Sequence, residues 1–288
     1  MTNGVNTATA ATSEDQQRVT RSAGIVSIAV MASRLLGLVR EKVIAYYFAA
    51  GVGGDAFYAA FRIPNLMRDL FGEGALSKAF VTTFTATELE EGEAAAWRLA
   101  SRVFNATFLL LTLITVVGVF AAPAIVDLIF TGKGFQEMPL DPSEHFGFDS
   151  KRDLTVYLTR IMFPYLILVS LAAVTMGLLN SKGKFGLPAS ASSFFNVGSL
   201  IVGVCGYYVA PSFELHRTTG MAVGVLVGGA LQFLIQVPST RHVGFHYQLL
   251  LSFRDERVRR DPWGCCVAAE RAGQLDLCFA GCGLADVD

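Results

Sequence analysis

The chain has 288 residues, 52% of them hydrophobic and only 16% charged, with a net charge of −1 and a mean hydropathy of +0.47. Soluble domains carry about 25% charged residues, so an ordinary water-soluble enzyme, a disordered chain and a disulfide-stapled secreted domain are excluded. The near-zero charge marks no nucleic-acid binder, and the apolar residues fall in long blocks, which points to an all-α polytopic membrane helix bundle.

Residues 1–17 are rich in Thr, Ala, Ser and Gln, and a disordered segment is expected over 1–20. They lack the order of charge, apolar core and small-residue cleavage site that makes a signal peptide. Residues 23–50 are largely apolar but contain Arg34, Arg40, Glu41 and Lys42, and residues 55–87 contain Arg62, Arg68, Asp69, Glu73 and Lys78. Both read as spans whose charged faces look inward. Pro64 removes a backbone donor and should kink the second, and Gly72-Glu73-Gly74 should loosen it nearby. The acidic run Glu88, Glu90, Glu91 and Glu93 reads as a solvated turn. Four later stretches reach the roughly 20 apolar residues a span needs with no charged residue: 103–126, 161–180, 185–213 and 218–240. Backbone groups in hydrocarbon must bond internally, so all are helices, giving about six spans.

Within these runs, Pro164 lies near the start of one span. Gly220, Gly224 and Gly228 recur every four residues, a spacing that lets helices approach closely, and Gln232 and Gln236 extend the row. Asn105 and Asn196 are expected to hydrogen-bond between helices. Seven basic residues near span ends (Arg18, Arg21, Arg98, Arg102, Lys182, Lys184 and Arg241) share the side of the N-terminus, against Lys133, Lys151, Arg152 and Arg217 on the other. This majority predicts a cytoplasmic N-terminus. After Arg259 the character changes. Residues 260–288 hold Pro262, Trp263, Cys265, Cys266, Cys278 and Cys282 and no long apolar run. The expected organisation is a disordered segment over 1–20, a transmembrane unit over 21–255 and a divergent tail over 256–288.

The charges inside the first two helices are the informative feature, because one such group at the bilayer centre costs about 2.5–3.5 kcal/mol on insertion scales. Helical spacing sorts them. Arg34 and Glu41 are seven apart with Gly37 between, Ser33 and Arg40 form a second such pair, and Asp55, Arg62 and Asp69 step by seven. Phe61, Asn65, Arg68 and Gly72 form another stripe. Two readings fit. One is a cationic cavity for an anionic group, since the planar guanidinium fork bonds two phosphate oxygens at once. The other is an internal ion-pair network, which suits Arg62 with Asp69, and Lys78. His242 with His246, and Cys278 with Cys282, lack the tight paired spacing of a zinc site. No phosphate-cradling Gly-Lys-Ser/Thr loop and no Ser-His-Asp or paired-carboxylate arrangement stands out. Neither a cofactor nor enzyme chemistry is expected.

The ordered set Ser33-Arg34-Leu35-Leu36-Gly37-Leu38-Val39-Arg40-Glu41, Asp55-Ala56-Phe57, Arg62-Ile63-Pro64-Asn65-Leu66-Met67-Arg68, Glu73-Gly74-Ala75-Leu76-Ser77 and Ala79-Phe80-Val81 resembles the opening of the MurJ (MviN) lipid II flippase family. Weaker likeness runs through Phe163-Pro164-Tyr165 and Leu178-Leu179-Asn180 to about Phe253. The resemblance implies the first half of a MATE/MurJ-like (MOP superfamily) transporter in the bacterial inner membrane. Its substrate would be lipid II, the undecaprenyl-diphosphate-linked peptidoglycan precursor, moved from inner to outer leaflet for cell-wall assembly. By the same resemblance Arg34, Arg40 and Arg68 match positions that line a central cavity and hold the diphosphate, and Ser33, Asp55, Asn65 and Glu73 match other sensitive positions. Glu41 stands where many members have Asp. A MATE-like or polysaccharide exporter, or a non-functional membrane fragment, is the alternative.

Family members continue to about twice this length, with roughly fourteen spans and alternating access between two bundles. A frameshift or premature stop, with the tail read out of frame, is therefore expected, the alternative being a short paralogue with a cytosolic tail. Activity would then need a second half from a separate partner or a homo-oligomer.

Overall fold

A computed structural model describes residues 3–48, 51–71, 75–140 and 147–249. The tail expected over 256–288 lies outside the described residues. Among the described residues ten α-helices follow one another: α1 (Asn3–Phe48), α2 (Val52–Phe71), α3 (Ala75–Glu91), α4 (Glu93–Ile129), α5 (Lys133–Gln136), α6 (Lys151–Met162), α7 (Tyr165–Ser181), α8 (Gly186–Val209), α9 (Arg217–Leu234) and α10 (Val237–His242). A 3-10 turn, Ala210–Phe213, closes α8. Among the described residues there is no β-strand, only an isolated bridge between Pro139 and Ser150.

Four helical stretches are long and apolar enough to cross a membrane: Glu93–Ile129, Lys151–Ser181, Gly186–Phe213 and Arg217–His242. They match the four charge-free runs to within a residue or contain them. Three of them outlast their apolar runs, with charged residues at one or both ends, whereas Gly186–Phe213 begins one residue inside its run and holds no charge. Lys151–Ser181 starts ten residues earlier than the hydropathy suggests. Ser150 caps it, its Oγ accepting the Asp153 N–H at 3.2 Å and donating to Asp153 Oδ2 at 2.9 Å. Pro164 breaks the ladder between α6 and α7, and the chain continues through short turns, Leu166 N–H to Phe163 O and Ile167 N–H to Pro164 O. This stretch is the largely buried central pole of the bundle, whereas α4 and α8 expose much of their apolar surface.

The helix expected over 55–87 is described as α2 and α3, on either side of 72–74, which lie outside the described residues. Pro64 stays inside α2. Helix α1 begins at Asn3 and so runs through the segment expected to be disordered. Ala, frequent there, is the best helix former, and Thr and Ser are tolerated.

Side-chain size decides which helices meet. α8 and α9 are the most intimate pair, and α1 lies along α8, α2 along α6, and α3 between α4 and α7. A Cβ on Gly220 would lie 2.3 Å from the Gly206 carbonyl carbon, one on Gly224 2.7 Å from Ser199 O, and one on Gly228 2.7 Å from Phe195 O. The four-residue glycine row is thus a backbone-to-backbone seam. Gly118 on α4 makes the notch for the Phe163 ring. Leu154, Leu158, Met162 and Tyr165 of the central pole pack with Phe57, Phe195 and Val225 in the main core. A second cluster, Phe80, Phe84, Val174, Leu178 and Phe245, ties α3 to α7 and to the segment after α10.

Candidate functional site

The register of α1 on α8 sets the geometry. Ser33, Gly37, Arg40 and Ile44 recur at helical spacing on the inner face of α1. Ser33 is buried; its hydroxyl donates to Ser192 Oγ at 2.8 Å, and its carbonyl accepts the Asn196 side-chain N–H at 3.1 Å. Gly37 passes beside the same Asn196 amide. Asn196 is thus the helix–helix bond its position suggested. Asn105, expected to bond between helices, instead ties α4 to the non-helical segment after α10, donating to Gln248 O and accepting from the Tyr247 hydroxyl. Ser33, expected at the ligand, is here a stitch between α1 and α8.

Two turns along, the Arg40 side chain is only 13% exposed. Its Nη2 donates to Glu41 Oε1 at 3.2 Å. Its guanidinium carbon lies 5.2 Å from the Phe195 ring centre and 5.8 Å from that of Phe61, within cation–π range. Its Nε is buried and has no hydrogen-bond partner among the described residues. With Glu41, Tyr58, Phe61, Ser199 and Met221 it lines a small hollow between α1, α2, α8 and α9. A guanidinium has five N–H donors, and this one commits a single donor to a carboxylate. Tyr58 stands on the open side of the hollow, 36% exposed.

The remaining expected residues scatter around it. Arg34 is exposed and its side chain has no hydrogen-bond or ion-pair partner among the described residues. It and Glu41, seven residues apart, share a flank of α1, but Glu41 pairs with Arg40 instead. Asn65 is half-buried on α2, with Oδ1 buried and unpartnered among the described residues. Arg68 is half-buried one turn further and engaged with a neighbour. Asp55, 71% exposed in the first turn of α2, accepts from Lys151 Nζ at 3.0 Å. Arg62 is exposed. Glu73 lies outside the described residues, and the side chains of Asp69 and Lys78, expected in an ion-pair network, are not described.

The ion pairs of three basic residues were not foreseen. Lys151 is buried between Asp55 and the Phe135 ring, 4.8 Å from its centre. Arg152 forks onto both oxygens of Asp127, at 2.5 and 2.7 Å. Lys182, in the α7–α8 turn, donates to Glu88 and, at 3.2 Å, to Glu93, and stands 4.6 Å from the Trp97 ring centre. Burial pushes the Lys182 ammonium down, but the hydrogen bonds it donates to Glu88 and Glu93, with their negative charges, outweigh it and hold its pKa above the usual value. The acidic run is therefore in part an anchor for α7–α8 rather than only a solvated turn. The partners are 25 to 96 residues apart in sequence, so no local pattern announces them.

A family model described as lipid II flippase MurJ matches residues 44–261. Asp55, Asn65, Arg68 and Glu73 fall inside that span, and Ser33, Arg34 and Arg40 precede it. A probable lipid II flippase MurJ of Vibrio cholerae is 35% identical over 222 residues, covering 77% of this chain and 41% of that protein. The lipid II flippase MurJ of Burkholderia cenocepacia is 37% identical over 220 residues, covering 76% and 39%. A probable lipid II flippase MurJ of Rhizobium tropici is 39% identical over 236 residues, covering 81% and 41%. A solved structure, "Lipid II flippase MurJ, inward closed conformation", superposes with a TM-score of 0.59 at 26% identity, covering 78% of this chain and 43% of that one. The chain spans about 40% of the length of the curated relatives it matches.

Proposed function

The chain belongs to the lipid II flippase MurJ family, and from that premise we propose that it forms one helical lobe of a lipid II flippase, with Arg40 at the centre of its headgroup site. It is a multi-pass bacterial membrane protein. The family resemblance favours the bacterial inner membrane, and the basic-residue count favours a cytoplasmic N-terminus.

The observation that carries this reading is the state of Arg40: a nearly buried guanidinium with one carboxylate contact, two aromatic rings and an unused buried N–H. A cation left so under-satisfied inside a membrane protein is expensive, and an anionic ligand is the natural completion. A diphosphate suits it, because the guanidinium fork can bond two oxygens and replace part of the hydration the anion loses. Arg34 on the adjoining flank of α1, and Arg68 and Asn65 on α2, supply further donors as the headgroup moves. Ser33 acts as a positioning residue, holding the register that points Arg40 into the hollow. The lipid tail stays in the bilayer while a second lobe, closing the opposite wall, rocks against this one. Transport needs no bond to be made or broken.

The test is replacement of the matched part of the Burkholderia cenocepacia relative with residues 20–249 of this chain in flippase-depleted cells. Outer-leaflet lipid II is then measured by its accessibility to an external probe. Rescue that is lost in Arg34→Ala, Arg40→Ala and Arg68→Ala variants at equal expression supports the reading. Rescue untouched by the triple substitution sinks it. The unaltered 288-residue chain, expressed alone and with a separately encoded second half, reports whether the lobe acts by itself.

A further inference from the structure

Helix α1 has two exposed flanks of opposite character. One carries Arg34 and Glu41 and borders the Arg40 hollow. The other continues the apolar stripe of Ile28 and Met31, 71% and 62% exposed, into an open groove of about 880 Å³ against α8. Its walls are Leu35, Leu38, Val39, Val43, Ile201 and Val204, and its volume falls within the roughly 300–1,000 Å³ of small-molecule sites. Lys42 is the one charged residue lining it. The ammonium is exposed and has no partner among the described residues.

One turn beyond Lys42 stands a tyrosine cluster. The Tyr47 ring packs against Tyr46, Tyr207 and Tyr208, and the Tyr208 hydroxyl donates to that of Tyr47 at 3.2 Å. Tyrosines gather at the level of lipid headgroups, so this end of the groove reaches the interface and the rest descends into hydrocarbon. A lysine at that depth extends its stem along apolar surface and offers its charge to phosphates. We propose that the groove binds an anionic phospholipid, one acyl chain lying between α1 and α8 and the phosphate paired with Lys42. The charge complementarity selects the headgroup, and the apolar flank separates this site from the Arg40 hollow. The inference stands independently of lipid II transport.

The full chain, purified in detergent, is titrated with phosphatidylglycerol and with phosphatidylcholine of identical chains and examined by native mass spectrometry. Phosphatidylglycerol adducts should exceed phosphatidylcholine adducts about fivefold, the weight of one lysine facing an anionic headgroup. Lys42→Gln should erase that preference, Val204→Trp should fill the groove and reduce both adducts, and Lys184→Gln, a lysine elsewhere, should change nothing. Thermal unfolding without lipid checks that each variant folds; should Val204→Trp fail that check, Cys205→Phe fills the same groove. An undiminished preference in Lys42→Gln overturns the proposal. So does full phosphatidylglycerol binding in a folded groove-filling variant, or a dimer of the chain that dissolves in the groove variants, which would make this face a contact between copies.

Discussion

Replacing Arg40 by Ala separates a ligand-binding arginine from a structural one. In the fold, the substitution removes two cation–π contacts, each worth about 0.5–1 kcal/mol, and a pair with the half-exposed Glu41 worth under about 1 kcal/mol. It also relieves a buried, unpartnered Nε–H, whose burial costs about 1–3 kcal/mol. These terms offset, so stability should change by no more than about 1 kcal/mol. Ligand binding has no such compensation. A bidentate guanidinium gives a diphosphate two charge-assisted hydrogen bonds, each worth about 1.5–3 kcal/mol. Loss of about 3 kcal/mol weakens binding about 100-fold. The measurements are thermal unfolding in micelles by near-ultraviolet circular dichroism and calorimetric titration with a short-chain prenyl diphosphate. Arg40→Lys should fall between, keeping the charge and losing the fork. The reasoning fails if Arg40→Ala lowers stability by more than about 3 kcal/mol while the diphosphate binds as before.

Gly220→Ala should lower stability by about 1–3 kcal/mol, because the new methyl meets the Gly206 backbone at 2.3 Å and neither helix has a flexible side chain there to yield. Gly24→Ala, with open space around it, should instead be neutral or stabilising by up to about 1 kcal/mol; unfolding temperatures of the two variants give the comparison. Lys182→Met should cost about 1–2 kcal/mol, through the lost pairs with Glu88 and Glu93 and the lost Trp97 contact, read as lower unfolding temperature and faster hydrogen exchange in the α3–α4 turn. His216 caps α9, its Nδ1 accepting the Thr218 N–H at 3.2 Å. Burial, aided by the Arg217 charge, lowers its pKa to about 4. The unfolded ring takes its proton near pH 6.5 and the folded ring resists until about 4. The stabilising contribution is therefore complete above about 6.5 and disappears as pH falls to about 4, by up to about 3 kcal/mol. An unfolding series across that window should show the slope, and His216→Asn, which keeps a capping acceptor, should flatten it.

Composition and run length made the membrane bundle legible, because a span is a property of consecutive residues. The glycine row was legible for the same reason: its four-residue period is local, and it lies on α8 as a seam. Charge pairing was the hardest layer. Asp55 with Lys151, Asp127 with Arg152 and Glu88 with Lys182 depend on which helices become neighbours, so spacing along one helix proposed Arg34 with Glu41 while the fold placed Glu41 on Arg40. Spacing did put Ser33 and Arg40 on one face, but it could not say that α8 rather than a ligand would meet Ser33.

That division of work along the inner face of α1 has a consequence for function. On the proposed reading Ser33, two turns before Arg40 and fixed on α8 by two hydrogen bonds, sets the register that turns Arg40 into its hollow. A one-residue slip would turn the face by about 100°, bringing the Arg34–Glu41 flank inward and carrying Arg40 off the Phe195 ring. Asn196→Leu removes the amide that ties the Ser33 carbonyl while conserving volume and apolar packing. A hydrogen bond between membrane helices is worth about 0.6 kcal/mol on average, so unfolding should move by less than about 1 kcal/mol. Diphosphate binding should nonetheless weaken several-fold, because the loss is one of orientation at Arg40 and not of stability. Ser33→Ala should act in the same direction, and the two substitutions together should add less than their sum, since both release a single register. Full diphosphate affinity in the double variant would show that Arg40 is held by its own aromatic contacts, and the positioning role of Ser33 would fall with it.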